Sequence, residues 1–165
     1  MSKTATYSLI ASNTLSTANS TITFSSIPAT FTDLVLVCNL FSSGTTYSGI
    51  RFNGDTGSNY SLTDFYGDGG GGITSSRQTN ISGGGSGPTM GSGNVLIYNI
   101  LNYSNSNTYK NMLGRNANPG NGNFASVNAW RSTAAINSLT LYTGTGDNWS
   151  TGSTFKLYGI QAGNA

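Results

Sequence analysis

The chain contains no histidine and no glutamate, a single cysteine, three prolines, and charged side chains at only 7% of its 165 positions. Each shortage removes a class of function. Without His the commonest general base is gone, and with it every Ser-His-Asp and Cys-His arrangement. One Cys and no His exclude zinc sites of the usual kind. Cys38 has no partner for an internal disulfide, so the fold does not depend on an oxidising compartment. It sits between Val37 and Asn39 in an apolar run, which suits a buried, inert thiol better than a nucleophile. That run, 34–38, is the longest strongly apolar one and is far short of the roughly 20 residues of a membrane helix. No apolar signal core follows Met1-Ser2-Lys3-Thr4, so synthesis in a cytoplasm is expected. The formal net charge is +2, and the seven cations, Lys3, Arg51, Arg77, Lys110, Arg115, Arg131 and Lys156, form no cluster. A nucleic-acid partner is therefore not expected.

What is abundant is small and polar. Gly, Ser, Thr and Asn occupy 89 of the 165 positions, a composition that disfavours helices and suits turns and strands. Period-two apolar patterns recur along the chain at 5–11, 21–25, 33–41, 47–53, 60–66, 95–101, 108–114, 124–131, 138–143 and 154–161. The strongest places Leu34, Leu36, Cys38 and Leu40 on one face and Val35 and Val37 on the other, as expected of a central strand. Residues 60–66 read as a short edge strand, and Asn53-Gly54 suits a tight hairpin turn. Thr133-Ala134-Ala135-Ile136 reads as a loop that delivers the chain into the next strand. About ten short strands separated by turn residues predict an all-β, antiparallel β-sandwich, jelly-roll-like, in a single domain over 1–165. The expected core includes Leu34, Leu36, Ile97, Leu139, Leu141, Phe155 and Leu157.

The segment 67–93 holds 11 glycines in 27 residues. It reads either as a linker or, preferred here, as a long glycine-rich excursion from one domain. Its glycines lack the Lys and the helix start that a phosphate loop needs. Asp64 and Asp68 flank Phe65-Tyr66-Gly67. Two carboxylates suggest calcium or glycoside hydrolysis, but Asp in a turn more commonly caps its own backbone. No catalytic, metal or cofactor site emerges, and the chain is not expected to be an enzyme. Trp130, on an alternating segment, reads as core, whereas Trp149, in Gly146-Asp147-Asn148-Trp149-Ser150, reads as exposed. Exposed aromatics suit both sugars and protein interfaces.

Four segments carry a resemblance: ITFSSIPATFTDLVLV (22–37), IRFNGDTGSNYS (50–61), WRSTAAINSLTLYT (130–143) and GSTFKLYGIQA (152–162). Together they resemble small virion structural proteins of tailed bacteriophages, which share an Ile-Pro lead into a Thr-Asp-Leu strand, a Phe-Asn-Gly turn and a closing Tyr-Gly-Ile strand. The likeness runs from about Tyr7 to Ala162 and leaves the glycine-rich middle unmatched. It implies a jelly-roll-like sandwich acting as a capsid decoration (cement) protein or, alternatively, as a tail-fibre or receptor-binding head module that takes carbohydrate. No catalytic motif comes with it. The first strand begins near Ala5 and the last ends near the C-terminus, which leaves no shaft and favours decoration. The expected partners are the major capsid protein and further copies of the chain, as a homotrimer on the outer capsid surface of the virion. The expected contact residues are Tyr66, Asp68, Arg77, Met90 and Trp149, with the termini, 1–6 and 163–165, and the segment 67–93.

Overall fold

The computed structural model describes residues 6–90, 93–118 and 122–161. It contains twelve strands: β1 (Tyr7–Thr14), β2 (Thr21–Phe24), β3 (Asp33–Leu40), β4 (Thr45–Phe52), β5 (Tyr60–Gly67), β6 (Ile73–Ile81), β7 (Gly84–Met90), β8 (Asn94–Leu101), β9 (Lys110–Asn118), β10 (Gly122–Trp130), β11 (Leu139–Gly146) and β12 (Thr154–Ile160). No helix occurs among the described residues. All pairings are antiparallel and form two sheets. The larger has the order β1-β12-β3-β8-β9-β10-β5-β6, the smaller β2-β11-β4-β7. Setting aside β5, β6, β9 and β10 leaves eight strands, whose order becomes first-eighth-third-sixth in one sheet and second-seventh-fourth-fifth in the other. That interleaving is a jelly roll. The two extra hairpin-like pairs, β5-β6 and β9-β10, extend only the larger sheet.

Strict alternation builds the core. On β3, Leu34, Leu36, Cys38 and Leu40 all have zero exposure. Leu36 pairs across the sheet with Leu157 on one side and Tyr98 on the other. From the smaller sheet Ile50, Phe52, Leu139 and Leu141 face them. Each such side chain contributes about 1.5–3 kcal/mol by leaving water. Trp130 is core, as its alternation predicts, and its ring stacks on Tyr60.

Several expectations are corrected. Trp149 is not exposed but fully buried, with its ring 5.0 Å from Phe155. It bridges backbone to backbone with both Asn19 and Ser42, which draws its polar turn over the end of the sandwich. Ile97 lies on the outer, half-exposed face of β8, while Leu96, Tyr98 and Ile100 point inward. The glycine-rich stretch is no simple excursion, because it supplies β6 and β7. Strand β5 is not an edge, since β6 covers it. Asn53 and Gly54 do make the tight turn, both at positive φ (52° and 69°), with Asp55 N–H donating to the Phe52 carbonyl. That turn does not close a hairpin, however, because β4 and β5 belong to different sheets.

Candidate functional site

Two surfaces stand out. The first is the outer face of the larger sheet. Its alternate positions hold Leu9, Val95, Leu101, Leu113, Val127 and Phe65, each between 38% and 57% exposed. Register places Leu113 beside Val127, and Phe65 beside Ala125. Ile73, at 80% exposure, extends the apolar surface to the β6 edge, where a shallow depression of about 630 Å³ lies against Val95, Ile97 and Phe65. An outer sheet face normally alternates to polar side chains where it meets water; this one does so only in part.

The second is a cleft of about 710 Å³ between the two free sheet edges, β6 of the larger sheet and β7 of the smaller. The chain turns from one edge into the other at Ser82-Gly83, and Arg51 pins that corner by donating from Nε to the Ser82 carbonyl at 2.8 Å. The Arg51 guanidinium also lies 4.0 Å from the centre of the Tyr142 ring. Glycine permits β7 to press close to the larger sheet. Gly87 sits at φ +60° directly over the Phe124 ring, where a Cβ would collide with it. Phe124 in turn stacks on Tyr66, with ring centres 4.5 Å apart.

The cleft reaches between the sheets to a polar patch that sequence alternation does not mark as core. Strand β7 is bound there by side chains: Asn128 accepts from Gly85 N–H at 2.9 Å, Ser126 donates to the Gly85 carbonyl at 3.0 Å, and Asn116 donates to the Ser86 carbonyl at 3.1 Å. Asp64 points inward from β5, paired across the sheet with Ser126 and Ser76. Desolvation pushes its carboxyl above the usual range, partly opposed by a hydrogen bond from the Ser76 side chain. Its Oδ1 is buried and without a hydrogen-bond partner, as is Oγ of Ser86.

The residues named from sequence separate. Tyr66 lines both surfaces. Asp68 is exposed just beyond β5 and accepts from Gly70 N–H at 2.8 Å, the backbone-capping role of an Asp in a turn. Arg77 is exposed on β6 opposite Thr63. Met90 ends β7 opposite Thr45, and its side chain lies outside the described residues. Trp149, being fully buried, offers no surface for a partner. Residues 1–5 and 163–165 also lie outside the described residues. Asp64, Ser86 and Gln78 were missed as a group because the fold, not their spacing, brings them to one cleft.

Chemically, the described residues hold no group of three or more His, Cys, Asp or Glu placed to bind a metal. Among the described residues no helix is long and apolar enough to cross a membrane. Cys38 is fully buried and its thiol is pushed far up by that burial, which suppresses the thiolate. No protein-family model matches the chain, and no curated protein matches it.

Proposed function

We propose that the chain is a non-enzymatic structural protein of a bacteriophage virion, a decoration protein that docks on the outer shell and stabilises contacts between major capsid subunits. One observation carries this reading: the broad outer face of the eight-stranded sheet, where Leu9, Phe65, Val95, Leu113 and Val127 stay exposed between the cations Lys156, Arg115 and Arg77. Eight strands at about 4.8 Å spacing and roughly seven residues at about 3.3 Å give a face of roughly 900 Å². A standard interface uses about 800 Å² on each partner. Large exposed apolar patches of this kind mark interaction sites. The four sequence segments that resemble phage virion proteins support the same class. Association as a homotrimer belongs to this proposal, because closed symmetry repeats one weak contact and raises its effective concentration.

The test is location and loading. Gold-labelled antibody against the chain is expected on the heads of purified phage particles. Label confined to tail tips would favour the receptor-binding alternative, and particles free of label would end both readings. The double variant L113K/V127K alters two exposed side chains on the outer face. It is expected to fold normally yet load on particles at least tenfold less well. Full loading would remove this face from the interface.

A further inference from the structure

We propose that the cleft between β6 and β7 is a binding site for a neutral saccharide. The cleft volume of about 710 Å³ falls within the roughly 300–1,000 Å³ of small-molecule sites. Nine of the twenty described residues that line it carry hydroxyls and among them only Asp64 carries a charge, so the wall is matched to a polar, uncharged ligand.

Two polar atoms ask for a partner there. Ser86 is 2% exposed and its Oγ has no hydrogen-bond partner; Asp64 Oδ1 is likewise buried and unpartnered. Leaving such groups unsatisfied is costly, and more so for a charged one. A ligand hydroxyl satisfies both kinds of group, because it donates to the carboxylate and can donate to or accept from the serine. The Gln78 amide and the Ser76 hydroxyl line the cleft beside Asp64. At the rim Tyr47 is 55% exposed, and its ring offers an apolar wall for the C–H face of a sugar.

Other occupants fit less well. A peptide strand adding to the β7 edge needs free backbone groups, but the Gly85 N–H and the Gly85 and Ser86 carbonyls are already bound by Asn128, Ser126 and Asn116. An anion would meet the Asp64 carboxylate and no cation among the lining residues. A divalent metal would find one carboxylate where several oxygen ligands are needed.

The test uses the full chain on an array of neutral mono- to tetrasaccharides alongside uronic-acid and sialylated glycans, with titration calorimetry on the best neutral ligand. Binding to neutral glycans is expected, with acidic ones at least tenfold weaker. D64N and S86A are each expected to weaken that binding at least tenfold while the melting temperature stays level or rises, because each removes an unsatisfied or desolvated group. Y47A, at the exposed rim, provides a third variant. No neutral ligand on the array, preference for acidic glycans, or wild-type affinity in well-folded D64N and Y47A would each overturn the site. Capsid loading is a separate readout, since none of these residues lies on the outer face.

Discussion

Two aspartates of the same chain titrate in opposite directions, and the cause is local. The Asp55 carboxyl is lowered, first by the hydrogen bond from Trp130 Nε1 at 2.6 Å, which outweighs desolvation, and further by Asn59 and Gly57 N–H. Asp64 is raised because desolvation outweighs its one serine hydrogen bond. The signs follow by linkage. For Asp55 the folded state holds its proton more weakly than the unfolded state, so its stabilisation is present above about pH 4 and is lost as pH falls below that. For Asp64 the folded state holds its proton more tightly, so the penalty is absent below about pH 4 and sets in as pH rises through the raised value. Thermal melts from acid to neutral pH are expected to show D55N flattening the acid-side loss of stability. D64N is expected instead to remove a decline on the neutral side. Equal pH profiles for D64N and the parent protein would mean that the Asp64 carboxyl is not desolvated. Residue identity alone could not assign these roles: Asp55 follows Asn53-Gly54 and reads as a turn residue, and only the fold sets the Trp130 indole over it.

At the scale of the strand, what the sequence made legible depended on which face was apolar. Strand β3 is readable because four alternate apolar residues are all fully buried. Strand β8 was placed correctly but in the wrong phase: Asn-Val-Leu-Ile-Tyr-Asn-Ile-Leu is apolar on both faces, so alternation could not choose Leu96 over Ile97. A one-residue slip inverts every side chain. Strands β6 and β7 were illegible for a different reason. β6 is exposed at every position but its last, and it is a strand because its backbone pairs with β5 from Ile73 to Ile81. Three of the seven residues of β7 are glycine, whose value here is close approach to the larger sheet. Gly114 on β9 shows the same requirement from the opposite side. A Cβ there would meet Ser126 Oγ, Ser86 Cβ at 2.8 Å and Tyr98 Cε1 at 2.9 Å, with φ unremarkable. Gly114→Ala is therefore expected to destabilise by about 1–3 kcal/mol in equilibrium unfolding, through overpacking alone. It should also weaken saccharide binding, because Ser86 and Ser126 would have to move. A neutral substitution would show that β7 stands further from β9 than the geometry requires.

For the molecule as a whole, one buried thiol reports on the cooperativity of the entire sandwich. Cys38 has zero exposure in the middle of β3, with Phe155 opposite it on β12 and Leu96 opposite it on β8. A disulfide reagent reaches it only when those three central strands separate. The chain has no second cysteine to confuse the signal. If the jelly roll opens as one unit, the free energy of the labelling-competent state equals that of global unfolding measured with denaturant. Leu36 supplies the control: it is also fully buried, two residues along the same face. Leu36→Ala removes the side chain from a core bounded by Tyr98 and Leu157 and is expected to cost about 2–5 kcal/mol. Because global opening is the route to the thiol, labelling should accelerate by the factor that corresponds to the measured loss, under conditions where reclosing outpaces reaction. A loss below about 1 kcal/mol would put Leu36 outside a tight core. A full loss of stability with unchanged labelling would show instead that Cys38 is reached by a local opening, most simply by peeling β1 and β12 away from β3, and that the two ends of the larger sheet unfold independently.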